Sequence, residues 1–256
     1  MRRILRLLLI STQREILQWL AWRPFLLTML LNQAVGPLIG LAVWSVALPG
    51  NTRIGIYYVA LLAVQLMTVS YENHTVSNTI YDGTFSQALL KPQPVMLGPL
   101  GTNIALRLWH FLFGLPLLLL VSIVEKISWD VRLILLALPA LLFAAILRFL
   151  ITYVLALSAF WTEQAHGIVG LNETLIFLLG GASAPIIFLP PSFRAIGEAL
   201  PFRALLGFPA EIMSASLDTN QILRGYGWQM LWLIMFWLLV TVIWRAGIRR
   251  YTAIGG

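Results

Sequence analysis

Long blocks of apolar residues, parted by short polar breaks, run through the chain. From Pro24 to Thr52 there is no charged residue, and Ile54 to Tyr71 is a second charge-free run. Between them, Asn51-Thr52-Arg53 after Pro49-Gly50 makes a tight turn. A helix needs roughly 20 apolar residues to cross the hydrocarbon core of a bilayer. On that measure the pattern predicts six spans, at 24–49, 54–71, 99–124, 131–158, 168–189 and 227–245. Arg107 interrupts the third, Arg148 the fourth, and Glu173 sits near the start of the fifth. Trp228 and Trp244 bracket the sixth as interfacial anchors.

Three segments fall outside this scheme. Residues 1–23 are amphipathic in their second half: Leu9, Ile16, Trp19 and Leu20 share one helical face, Ser11, Arg14, Glu15 and Gln18 the other. An interfacial helix lying along the inner membrane surface is expected. The segment is not read as a signal peptide, because its apolar run is short, is broken by Arg6 and has no small-residue cleavage site after it. The second segment, Tyr71 to Pro92, is polar and reads as a helix stopped by Leu89-Leu90-Lys91-Pro92. Simply turning the chain round takes only a few residues, so this length suggests a surface offered to a partner. The third, 190–226, follows a helix ended by Pro190 and Pro191. It predicts one short helix from Ser192 to Pro201 and another from Ala204 to Ser216, disturbed by Pro209. Such helices enter the outer leaflet only if protein buries their backbone. They serve either as an external gate, with Leu189, Pro190, Pro191, Pro201 and Phe202 at its edge, or as an interfacial cap. Gly180-Gly181-Ala182-Ser183-Ala184-Pro185 fits close helix packing better than a ligand site.

Composition supports lipid as the main solvent. The 256 residues are 59% apolar and 11% charged, against about a quarter charged in soluble proteins. The net charge of +7 does not point to nucleic acid, because the basic residues cluster at the ends of apolar runs. Six spans put both termini on one side, with nine basic residues there (Arg2, Arg3, Arg6, Arg14, Arg23, Lys91, Arg245, Arg249, Arg250) and six on the other. The positive-inside rule makes the first side cytoplasmic.

Chemistry is sparse. No cysteine is present, which excludes disulfides and thiolate metal sites. No phosphate-binding Gly-x-x-x-x-Gly-Lys-Ser/Thr loop and no nucleophile elbow occur, and His74, His110 and His166 are scattered. Neither a catalytic nor a metal site is expected, and any nucleotide hydrolysis must come from another chain. Arg107 and Arg148 are costly inside spans. Either Glu173 neutralises them, or they snorkel to inner headgroups.

Three motifs resemble those of the ABC-2 type permeases, membrane subunits of bacterial ABC exporters. The first is Ile80-x-x-Gly83-x-Phe85-x-x-x-Leu89-Leu90-Lys91-Pro92, where Lys91 stands at a position more often arginine. The second combines Phe188-Leu189-Pro190, Leu200-Pro201-Phe202 and Phe208-Pro209-Ala210-Glu211-Ile212. The third is the tail Trp244-Arg245-x-Gly247-x-x-Arg250-Tyr251-x-Ala253-x-Gly255. The resemblance implies an all-α integral membrane fold of six transmembrane helices. It adds an N-terminal interfacial helix, a cytoplasmic coupling helix within 73–92 and external short helices between spans five and six. It implies a non-catalytic subunit of an exporter in the bacterial inner membrane, with no cofactor of its own. ATP and Mg²⁺ would be held by a separate ATPase dimer, docked on Ile80, Tyr81, Asp82, Gly83, Phe85, Leu89, Leu90, Lys91 and Pro92. In that contact Phe85, Leu89 and Leu90 would be the apolar anchors. A second permease, identical or homologous, would complete the pathway. The Leu-, Trp- and Phe-rich spans lean toward an amphiphilic cargo. The alternatives are an ion-coupled secondary transporter, which would show an inverted repeat that is not seen here, and a non-transporting scaffold.

Overall fold

The computed structural model describes residues 2–20, 23–162 and 166–251. Ala253 and Gly255 of the tail motif lie outside them, as do the side chains of Arg2, Leu20, Arg23 and His166. The described residues form helices and turns, with α1 at Arg2–Leu20, α2 at Arg23–Ala47 and α3 at Thr52–Thr68. Next come two short helices, α4 (Glu72–Tyr81) and α5 (Phe85–Leu89). Long helices return with α6 (Leu97–Val124) and α7 (Val131–Leu157), followed by α8 (His166–Leu179). Three further short helices, α9 (Pro191–Ala199), α10 (Pro201–Leu205) and α11 (Gly207–Met213), lead into α12 (Thr219–Ile248).

Five helical stretches are long and apolar enough to cross a membrane: Leu27–Ala47, Thr52–Tyr81, Leu97–Val124, Val131–Phe160 and Thr219–Ile248. The chain is therefore a multi-pass membrane protein. The predicted fifth span, 168–189, is not one helix. Its helix α8 stops at Leu179, and at 1.5 Å per residue its 14 residues reach only about 21 Å. Gly181 then takes a left-handed φ of +89°, which a side chain would strain. The carbonyls freed by this turn find donors far away in the sequence. Tyr57 Oη donates to Gly181 O at 2.9 Å, and Trp44 Nε1 and Tyr58 Oη donate to Ser183 O at 3.0 and 3.3 Å. Irregular backbone at this depth is tolerated because protein groups satisfy it.

Other boundaries also moved. The predicted Ala204–Ser216 helix is split at Leu206 into α10 and α11. Helix α12 starts at Thr219, earlier than the predicted 227, behind a capping box in which Asp218 accepts from Gln221 N and Gln221 Oε1 accepts from Asp218 N. On α1, Ser11 and Thr12 turn toward α6, while Leu5, Leu9 and Leu17 stay exposed. The predicted polar outer face of that helix therefore includes residues that pack inward.

Two buried clusters are the largest. One is built from α3, α7, α10 and α11 and includes Phe202, Leu205, Phe208 and Ile212. The other joins α4 and α5 to the ends of α7 and α12 through Val76, Phe85, Tyr153 and Val240.

Candidate functional site

The α4–α5 segment begins at a break in helix α3. Residues Val69–Tyr71 leave the helical path, and a buried polar cluster closes around the bend. Glu72 is 3% exposed and has both carboxylate oxygens occupied. Its Oε2 accepts from Ser70 Oγ at 2.5 Å and Thr152 Oγ1 at 2.7 Å, and its Oε1 accepts from Asn103 Nδ2 at 2.8 Å. Arg107 Nε donates to Val69 O at 3.2 Å, and its Nη2 donates to Ala145 O at 2.6 Å. Arg148 Nη1 reaches Thr68 Oγ1 at 3.4 Å. From the other side Gln33 Nε2 donates to Tyr71 Oη at 2.6 Å, and Gln65 Nε2 donates to Gln33 Oε1. The cluster binds the joint to α2, α6 and α7 at once.

Both intramembrane arginines therefore take up backbone or hydroxyl oxygens around this bend. Glu173 is exposed and makes no ion pair with either, among the described residues. It acts on Arg148 only through space, as Glu72 acts on Arg107. The sequence reading missed Glu72, Asn103 and Thr152. The available signal was a polar side chain four residues from the arginine in each of two spans, Asn103 before Arg107 and Thr152 after Arg148, together with the first acid after the second span.

Beyond the joint, α4 and α5 are separate helices rather than the single predicted one. Gly83 closes the turn between them at a φ of +77°. Asp82 Oδ1 accepts from Thr84 N at 2.9 Å and from Thr84 Oγ1 at 2.6 Å. Those bonds hold the Asp82 carboxyl below the usual carboxylate range, the hydroxyl bond most of all.

The predicted anchors divide between inside and outside. Ile80 and Phe85 are buried, 8% and 3% exposed. Phe85 lies edge-on to Phe160, Trp244 and Tyr251 at centroid distances of 5.6, 6.0 and 5.4 Å. Tyr251 Oη donates to Gly83 O at 3.0 Å and accepts from Ser86 N at 3.2 Å. Thus Phe85 is not an outward anchor: its ring is spent on the protein's own cage. Tyr81, Gly83 and Leu89 are half-buried, and Asp82, Leu90, Lys91 and Pro92 are exposed. Leu90, 86% exposed, is the apolar side chain left outward.

Sequence elements far apart in the chain, Ile80–Pro92 and Trp244–Tyr251, thus form one body. A family model described as ABC-2 family transporter protein matches residues 20–255. The chain belongs to the ABC-2 transporter family. No curated protein matches it. The match covers all of this permease except its first residues and its last, and takes in the motifs that meet at Phe85. Membrane proteins of this family work with ABC ATPase partners.

At the opposite end of the permease, the residues predicted to edge a gate part company. Pro201 and Phe202 are buried, Leu189 is half-buried, and Pro190 and Pro191 are exposed. Every residue of α11 is buried. Arg203 and Glu211, with side chains 12% and 7% exposed, pair at 2.6 Å from Nη2 to Oε2. A second contact to Oε2 runs from Nε at 3.0 Å. Of the two predicted short helices, the second enters the bundle as α10 and α11, packed against α7 and, for α11, against α3; the first, α9, packs on α10 and stays mostly exposed.

Proposed function

We propose that this permease forms half of the pathway of an ATP-driven exporter in a bacterial inner membrane, paired with a second permease, identical or homologous. A separate ATPase dimer binds ATP and Mg²⁺ and docks on the α4–α5 segment. This chain holds no nucleotide and performs no catalysis. With α8 and the irregular segment after it taken together as a broken sixth crossing beside the five long helices, both termini and the α4–α5 segment face the cytoplasm, in line with the nine-to-six excess of basic residues.

One observation carries the reading: Leu90, with the largest fractional exposure of the apolar side chains named here, projects from a segment whose other apolar side chains are turned inward. Asp82 and Gln87, in the same segment, are exposed and polar. An apolar centre with a polar rim is the anatomy of a docking surface.

The same segment suits transmission of force. The Phe85 cage ties it to α7 and α12, and the Glu72 cluster ties its start to α6 and α7. A displacement imposed at Leu90 would move these helices together, as rigid-body alternating access requires. The α9–α11 insert closes the far end, with Leu189-Pro190-Pro191 as the edge free to move. The cargo is hydrophobic or amphiphilic.

The test is co-purification with the ATPase and ATPase stimulation in vesicles. Burying a leucine contributes about 1.5–3 kcal/mol, so Leu90→Asp should weaken ATPase retention tenfold or more. Its stability should change by no more than about 0.5 kcal/mol. Normal retention and stimulation by this variant would overturn the docking assignment.

A further inference from the structure

We propose that the cavity beneath α1 binds an anionic phospholipid of the adjacent leaflet. The cavity has a volume of about 490 Å³. Leu7, Ile10 and Arg14 line it from α1, Val76 from α4, and Lys91 and Val95 from the chain between α5 and α6. It lies where α1, packed along α6, faces α4 and α5. A Cβ on Gly101 would lie 2.4 Å from Ser11 Oγ, so the helices touch there. On the side toward α4 and α5, protein does not fill the wedge.

Two properties set the class of ligand. The wall is apolar along Leu7, Ile10, Val76 and Val95. The charged groups lining it are the cations Arg14 and Lys91. Lys91 is exposed, and its side chain makes no hydrogen bond or ion pair among the described residues. Arg14 gives one Nη to Glu15 at 2.8 Å, and its side chain remains 64% exposed, which leaves further N–H groups free. A slot that combines apolar side chains, the hydroxyls of Ser11, Thr75, Thr79, Thr84 and Thr102, and two cations matches a molecule with an anionic head, ester oxygens and a hydrocarbon tail.

The position of α1 identifies the source. Leu5, Leu9 and Leu17 are 53%, 62% and 69% exposed on it, an apolar face left uncovered by the described residues. A helix of this kind lies in the headgroup layer, so the cavity opens where lipid headgroups are concentrated. Basic pockets between helices at this level select anionic headgroups. Lys91 thereby holds lipid rather than the ATPase. The inference needs only protein and lipid, so it stands apart from the exporter reading.

Native mass spectrometry of the purified permease tests it, with dioleoyl phosphatidylglycerol, dioleoyl phosphatidylcholine and sn-glycerol 3-phosphate as separate probes. One phosphatidylglycerol should be retained per chain, and phosphatidylcholine should not. Arg14→Gln with Lys91→Gln should weaken that retention about thirtyfold. Arg249→Gln, an exposed basic residue outside the cavity, should leave it unchanged. The melting temperature of each variant checks that it is folded. Equal retention of phosphatidylcholine, or unchanged retention in the folded double variant, would overturn the proposal. So would soluble glycerol phosphate binding as tightly as the lipid. Loss of ATPase retention in the double variant with lipid retention intact would assign Lys91 to the partner and overturn it as well.

Discussion

The α4–α5 and α9–α11 inserts start from similar material and end in opposite states. Each is made of helices too short to cross a bilayer, and each mixes aromatic, polar and proline residues. The α9–α11 insert is largely absorbed: α11 is wholly buried, and its acid is neutralised by Arg203 at 2.6 Å. The α4–α5 insert is only half absorbed. Phe85 is fixed in a cage of three rings, while Leu90, five residues on, is 86% exposed. A short helix is accepted inside an apolar bundle when its charges and carbonyls are matched there. A docking surface is marked instead by an apolar residue the fold leaves unburied on a segment it otherwise holds rigid.

Removing the buried ion pair attacks the absorbed insert most severely. Arg203→Ala leaves Glu211 unpaired and should cost about 3–5 kcal/mol, read as a lower melting temperature in detergent. Arg203→Met with Glu211→Leu should recover most of that loss. A stable single variant would mean the pair does not seat the insert.

Phe85→Ala tests the half-absorbed insert. Truncating a caged aromatic costs about 3 kcal/mol or more. Cleavage near residues 82–91 should rise under limited proteolysis, and ATPase stimulation should fall. The outcome separates Phe85 from Leu90, whose replacement by Asp should change function with a stability effect of only about 0.5 kcal/mol.

The joint gives a smaller effect. Glu72→Gln removes the buried charge that accepts three hydrogen bonds and should cost about 1–3 kcal/mol. Glu173→Gln, at an exposed site without an ion pair, should stay within about 0.5 kcal/mol. Equal melting temperatures for the two would refute the assignment of the structural carboxylate to Glu72.

The smallest effect concerns pH. Asp82 has its carboxyl held low by Thr84, so its bonds to Thr84 persist above the ordinary carboxylate range. They are lost only as pH falls through the depressed value. Amide exchange at Thr84 should therefore be flat near neutrality and rise in strong acid beyond its intrinsic pH dependence. A transition near neutral pH would contradict this.

Most spans were legible in the sequence, because the free energy of moving an apolar run into lipid depends on the run itself. Leu97–Val124 and Val131–Leu157 match the sequence reading within two residues. The end of α8 was not legible, because the donors that make the Gly180-Gly181 break tolerable are Trp44, Tyr57 and Tyr58 on distant helices. Phe85 was read as an outward anchor of the contact that the resemblance implies, because the rings that cage it, on Phe160, Trp244 and Tyr251, are far away in the sequence.

The sequence by itself determined the solvent of this protein, the family and the place of its two inserts, since composition, motif order and apolar length are local properties. Tertiary structure alone decided which side chains of those inserts remain available. Tyr251 and Trp244 capture Phe85 from the far end of the chain, and Arg107 and Arg148 are taken up by carbonyl and hydroxyl oxygens at the α3–α4 bend. Burial and pairing are relations between distant residues, so they exist only once the chain has folded.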